Sequence, residues 1–466
     1  QGNYAKAEPL FQRSLAIREK VLGPDHPDLA TPLNNLAELL HIQGSYAKAE
    51  PLFQRSLAIR ENALGPEHPD VAISLNNLAA LLESQGNYAK AEPLYERSLT
   101  ITERALGPVH PDVATSLNNL ASLFETQGKY AEAEPLYQRA LVILEKALGT
   151  EHIDVAISLN NLSELLHRQG NYAGAEPLCQ RSLAIKERAL GTEHPSVAFS
   201  LNNLARLFKA QGNYAEAGPL FQRSLVMLEK ALGAGHPHVA TLLNNLAELL
   251  HRQGNYAEAE PLGQRSLAIR EKALGPEHPD VAFSLTNLAA LFEKQGNYAE
   301  AEPLYERALV IRKKALGPEH PSVATSLNNL AVLFKAQGNY AEAEPLFQRS
   351  LALREKALGL KHPDVATSLN NLAELMKSQG NHAKAIPLYQ RLLAIREDAL
   401  GPEHPGGATI LDNLAESLKC QEKPNESLAL LERALAIRTR TLGEDHEDTI
   451  SCQKVVEGVR KKVGHT

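Results

Sequence analysis

The phrase Gln-Gly-(Asn/Ser/Lys)-Tyr begins at Gln1 and returns at Gln43, Gln85, Gln127, Gln169, Gln211, Gln253, Gln295 and Gln337 without one insertion. It recurs as Gln379-Gly380-Asn381-His382 and, degraded, as Gln421-Glu422-Lys423-Pro424. Eleven copies of 42 residues account for almost all of the 466 positions. A fixed period of that length makes each copy one supersecondary unit that completes its core only by stacking on its neighbours. It therefore overrides the three or four separate domains that chain length alone would suggest, at roughly 150 residues each.

Two helices are readable in each copy. Apolar residues at Leu33, Leu36, Ala37 and Leu40 have the 3–4 spacing of an amphipathic helix. That helix opens at His26-Pro27-Asp28, where a first-turn Pro is preorganised and an acid favours the dipole. It closes at Gln43-Gly44, because Gly takes a positive φ beyond a helix end. A second helix starts near Tyr46, carries Ala49, Leu52, Phe53, Leu57 and Ile59, and stops at Leu64-Gly65-Pro66. Ten copies place Pro at the ninth position (Pro9, Pro51, Pro93 and onward), too deep for a first turn. Ala49 and Phe53 sit four apart and share a face, so we expect this helix to run through the Pro with a kink.

The order Leu36-Ala37, Gln43-Gly44-x-Tyr46, Ala49-x-x-x-Phe53 resembles the tetratricopeptide repeat, with Leu33 in place of the usual Trp. The period is eight residues longer than the family's 34. That extension, with Leu-Asn-Asn-Leu-Ala and Ala-Glu-Pro-Leu-x-x-Arg-(Ser/Ala)-Leu, looks like the kinesin light chain type of repeat. The light chain's heptad coiled coil is absent, and near-identical copies look more like microbial arrays within larger signalling proteins. The resemblance implies an all-α solenoid: a right-handed superhelix of antiparallel hairpins with a concave groove. One array is expected over residues 1–466: an orphan second helix at 1–22, ten hairpins at 27–441, and a degenerate cap at 442–466. Gln453, Val456 and Glu457 replace Leu, Leu and Ala in that cap. A start at Gln1, without initiator Met or signal peptide, reads as an excerpt of a longer chain with flanking domains.

Charge and composition exclude several function classes. With 48 Lys plus Arg against 55 Asp plus Glu, the net charge of −7 offers nothing to a phosphate backbone, so no nucleic-acid partner is expected. No apolar run is long enough to cross a membrane. Cys179, Cys420 and Cys452 have no metal-ligand spacing and form no disulfide framework, which fits a reducing, cytoplasmic setting. Eleven of the 17 His recur at one position (His26, His68, His110 through His446). One imidazole per hairpin puts them about 10 Å apart. Metal bonds to His need about 2 Å, so these are read as caps or inter-repeat contacts and not as ligands. His236-x-His238 is an isolated pair. Arg at the thirteenth position of every copy (Arg13, Arg55, Arg97 through Arg433) reads as an inter-repeat ion pair with a Glu. No nucleophile–base arrangement, phosphate loop or zinc motif occurs, so no enzyme, cofactor or metal is expected.

Asparagine carries more information. The second Asn of Leu-Asn-Asn-Leu occupies all ten copies of that segment, including Asn77, Asn119, Asn161, Asn203, Asn245, Asn287, Asn329 and Asn371. Asn is a mediocre helix former, so its recurrence in mid-helix implies a use for its amide. The resemblance implies that this position lines the concave groove and clamps a ligand's backbone. A ladder of Asn bonds between adjacent first helices is the other reading, and the two can coexist. Residues four and seven beyond the first Asn vary among otherwise near-identical copies, from Glu38 and His41 to Arg206 and Lys209. Cations gather in the later copies at Arg206, Lys209, Arg252, Lys335 and Lys377. We therefore expect a scaffold that takes an extended peptide or partner protein, preferring an acidic segment. The alternative is a structural spacer or self-associating array inside a larger signalling or motor-adaptor protein. Gly263 and Cys179 stand where other copies have an aromatic, which predicts a void at Gly263 and a weak segment across 250–270.

Overall fold

The computed structural model describes residues 4–463, which hold 22 α-helices and no strand. They divide into two compact units, the boundary falling between Val323 and Ala324 in the helix Pro321–Ala336. In the first unit the first helices are Ala30–Ile42, Pro69–Ser84, Pro111–Thr126, Ile153–Arg168, Pro195–Ala210, Pro237–Arg252 and Pro279–Lys294. Alternating with them, the second helices are Tyr4–Leu22, Tyr46–Leu64, Tyr88–Leu106, Tyr130–Leu148, Tyr172–Leu190, Tyr214–Leu232, Tyr256–Leu274 and Tyr298–Leu316. The smaller unit continues with Tyr340–Leu358, Pro363–Ser378, His382–Leu400, Pro405–Cys420, Pro424–Leu442 and Glu447–Val463.

The recurrent histidine starts each first helix. In all eleven copies its Nδ1 accepts the backbone N–H two residues on, at 2.9–3.2 Å. An imidazole thus does the work usually given to Ser, Thr, Asp or Asn. The first copy differs in beginning with a 3₁₀ turn at Pro27–Leu29 before Ala30–Ile42. The far end closes at Gly44 (φ +69°), where Ser45 N–H reaches Leu40 C=O and Gly44 N–H reaches His41 C=O. That bond pair is a Schellman motif. The second helices are continuous through the recurrent Pro, as in Tyr46–Leu64 with Pro51 inside.

Buried small residues let the hairpin close. Ala49 is fully buried and Phe53 nearly so, four residues further along the same face. Ser56 Oγ donates to Ala30 C=O at 2.8 Å, and Ser98, Ser182, Ser224 and Ser266 repeat the bond. Between copies, Val113, Leu117, Ala140, Ile143, Val155 and Leu159 form one core running through three helices. In nine copies the thirteenth-position Arg pairs with a Glu 36 residues earlier, on the preceding second helix, whereas Arg349 has Lys313 at that place. Examples are Arg97 to Glu61 at 2.7 Å, Arg139 to Glu103 at 2.6 Å and Arg223 to Glu187 at 3.0 Å. In the smaller unit Cys452, Val456 and Val459 of the last helix pack on Leu411, Leu431 and Ile437.

Neighbouring first helices approach one another directly, and among the described residues no two second helices come as close. The first helices are therefore the inner row of the larger unit. Within the larger unit the array also meets itself 236 residues apart. His278 Nε2 lies 3.1 Å from Ile42 C=O, and His320 Nε2 lies 3.2 Å from Ser84 C=O. Pro279 and Pro321 sit so close to Gly44 and Gly86 that a Cβ on either glycine would come within 2.8 Å.

Candidate functional site

The inner row brings the variable residues and the asparagines onto one surface, and the asparagines divide into two groups. Asn77 donates its amide to Asn34 Oδ1 at 2.9 Å, Asn245 to Asn202 at 2.8 Å and Asn371 to Asn328 at 2.9 Å. At these three junctions the ladder between first helices is closed. At four others it is open. The oxygens of Asn76, Asn118, Asn160 and Asn244 are buried without a partner, and the residues 43 positions on, which donate at the closed junctions, are here Asn119, Asn161, Asn203 and Asn287. Leaving a buried acceptor unpaired costs about 1–3 kcal/mol. Asn329 is half-buried on Pro321–Ala336.

Charge on this face is largely paired within the protein. Arg206 donates twice to Glu164 on the preceding first helix, at 3.0 and 3.2 Å. Arg168 reaches Glu125 at 2.8 Å. Lys209 holds Glu248 at 2.6 Å, and Arg252 holds the same carboxylate at 3.1 Å. Lys377 pairs with Glu416 at 2.5 Å and also donates to Asn413. Burial alone pushes the Glu164 carboxyl up, but Arg206 and its neighbours outweigh that and hold it below the ordinary value. Burial lowers Lys209 despite Glu248 beside it. Lys335 is also lowered by burial, with Glu374 opposing and Lys377 reinforcing the shift.

A second layer lies just beneath, and the sequence reading missed it. Tyr95, Tyr137 and Tyr305 donate their hydroxyls to Glu83, Glu125 and Glu293, at 3.1, 2.9 and 2.9 Å. The signal was present as pairing within the chain. Copies with Phe53, Phe221 and Phe347 have no hydroxyl, and carry His41, Lys209 and Lys335 where those acids stand. Tyr389 keeps the logic with a different partner, donating to Glu374 at 2.6 Å. Where the aromatic is missing, Cys179 Sγ donates to Ser163 at 3.2 Å, and Gly263 faces a cavity of about 430 Å³. The expected void at Gly263 is therefore present. His236 and His238 have ring centroids 5.0 Å apart, and no group of three His, Cys, Asp or Glu assembles among the described residues.

The profile of the tetratricopeptide repeat family matches eleven overlapping segments, the first at 1–62 and the last at 408–456. The chain belongs to the tetratricopeptide repeat family. Such arrays are typical scaffolds for protein–protein interaction. Solved structures similar to this array include a Podosopora anserina candidate kinesin light chain with nearly identical TPR-like repeats. It is 31% identical, with a TM-score of 0.40, over 44% of this chain and 98% of that one. BtubC (BKLC) from P. vanneervenii is 22% identical over 51% of this chain and 92% of that one, also at a TM-score of 0.40. Yeast Tom70 covers 98% of the array and 92% of its own chain at a TM-score of 0.52 and 16% identity, a likeness of fold. A search of curated protein sequences returns no match. No helix among the described residues is long and apolar enough to cross a membrane.

Proposed function

We propose that the inner row of this tetratricopeptide array binds an extended peptide or a strand-like segment of a partner protein. The observation that supports this best is the set of four open asparagine junctions. At each, the amide of Asn119, Asn161, Asn203 or Asn287 makes no ladder bond, and a ligand backbone carbonyl can accept from it. An acidic preference follows from the cations at Arg206, Lys209, Arg252, Lys335 and Lys377. An acidic ligand would replace the internal carboxylates at four of them, so its gain is an exchange of partners and its binding is salt-sensitive. Three free cysteines suit a cytoplasmic setting. The closed junctions and the internal ion pairs favour a second reading, a structural spacer whose inner face stays empty.

Fluorescence anisotropy with acidic, basic and neutral extended peptides separates the two. We expect acidic peptides to bind the wild type at low salt and to dissociate at high salt. The Asn119→Ala, Asn161→Ala, Asn203→Ala variant should lose that binding with an unchanged melting temperature. No binding by any peptide class would leave the spacer reading in place.

A further inference from the structure

The cavity at Gly263 lies where other copies carry the ring of a tyrosine or phenylalanine. Its walls come from Pro237–Arg252, Tyr256–Leu274 and Pro279–Lys294, and it opens beside the exposed Arg252 and Lys294. Asn287, Leu288 and Ala290 line one side. In other copies the residue at this place is a buried aromatic such as Tyr95, Tyr137 or Phe221. Leu288 borders the space: a Cβ on Gly263 would meet its Cδ1 at 3.2 Å. The space has nevertheless not collapsed. A dry cavity of about 150 Å³ lined by Leu, Ile and Phe already holds benzene in an engineered protein, and this one is larger.

Two polar atoms set it apart from an apolar void. Asn244, only 1% exposed, is one of the residues around the cavity; its amide donates to Ser284 at 3.1 Å and its Oδ1, buried, has no hydrogen-bond partner. His251 is another of these residues, and its Nε2, also buried, has no partner either. His251 stands where Glu83, Glu125 and Glu293 accept the tyrosine hydroxyls of their copies. An unpaired buried acceptor is unfavourable, and a ligand hydroxyl removes that deficit. We propose that this cavity binds a phenol ring, with its hydroxyl donating to Asn244 Oδ1 or His251 Nε2. The ring stands in for the side chain that Gly263 lacks. It comes either from a free phenolic compound or from a tyrosine of a bound protein. This site opens onto the face proposed above for peptides but does not depend on peptide binding.

The probe is p-cresol, which is the tyrosine side chain itself, tested on the full chain by calorimetry and thermal melting. We expect a saturable rise in melting temperature for the wild type and none for Gly263→Phe, which restores the aromatic found in other copies. Toluene, which lacks the hydroxyl, should bind about three- to tenfold more weakly, the worth of one hydrogen bond. No shift in the wild type, or an equal shift in both proteins, overturns the site. Equal affinity for toluene and p-cresol overturns the roles given to Asn244 and His251. The source of the ring is read with one peptide in tyrosine and alanine forms. A tyrosine advantage that Gly263→Phe abolishes identifies a protein ligand. Binding of p-cresol with no such advantage identifies a free phenol. Because p-cresol is measured without peptide, failure of the groove reading leaves this result intact.

Discussion

Glu83 shows how one residue can tie the inner face to the core. It accepts from Tyr95 at 3.1 Å and from Thr126 on the next first helix at 3.3 Å. Burial raises its carboxyl above the ordinary value, and the two hydrogen bonds only partly offset that. A carboxyl raised in the fold holds its proton more tightly there than in the unfolded chain. Its contribution is thus favourable in acid and is lost as pH rises through the folded value. Glu83→Gln keeps an acceptor for Tyr95 and cannot ionise. We expect it to melt above the wild type at neutral pH, with the gap closing as the pH falls toward 4.5, the unperturbed value. Thermal melts at several pH values check this, and a constant gap would mean that ionisation of Glu83 has no part in stability.

At the scale of the helix and its junction, the sequence was highly legible. The 42-residue period, the helix from Tyr46 to Leu64, the positive-φ stop at Gly44 and the histidine cap all depend on local spacing and backbone preference. The Arg-to-Glu contacts between successive second helices were legible for the same reason, since nine of the eleven copies repeat them. The asparagine ladder was not. Whether Asn245 reaches Asn202, or Asn203 fails to reach Asn160, depends on side-chain geometry that differs between near-identical copies, which no spacing rule contains. The paired identities of Tyr95 with Glu83 and Phe53 with His41 were readable in principle. They were missed because the partners lie 12 residues apart on opposite arms of the hairpin. The ladder itself makes a prediction. Asn245→Ala removes a donor from Asn202 and should destabilise by about 1 kcal/mol. Asn203→Ala removes no ladder bond, only the long 3.4 Å contact its oxygen accepts from Asn202, and should stay within about 0.5 kcal/mol of the wild type. Urea unfolding of both variants decides it, and equal losses would mean that the ladder carries no stability of its own.

At the largest scale, contacts 236 residues apart arise from the small rotation that each hairpin adds to the last, summed over more than five copies. No local pattern announces them, yet they reuse the residue that caps each first helix. His320 Nδ1 accepts from Ser322 N–H at 3.0 Å while its Nε2 faces Ser84 C=O at 3.2 Å. Only the neutral ring with its hydrogen on Nε2 satisfies both. Burial lowers the His320 value, the Ser84 carbonyl opposes that shift, and Arg312 reinforces it. The folded state therefore takes up the proton less readily than the unfolded chain. The contribution of His320 is present above 6.5, the ordinary histidine value, and fades as pH falls below it. Protonation also sets a second hydrogen on Nδ1 against the Ser322 N–H, which breaks the cap at the same moment as it disturbs the contact. We expect faster hydrogen exchange, after correction for intrinsic rates, at residues 84–88 and 320–324 below pH 6, with little change at the matching residues 210–214. His320→Ala should exchange rapidly at those sites at every pH. If the wild type kept full protection at low pH, the contact would be held by the Pro321–Gly86 packing alone, and the histidine would serve only as a cap.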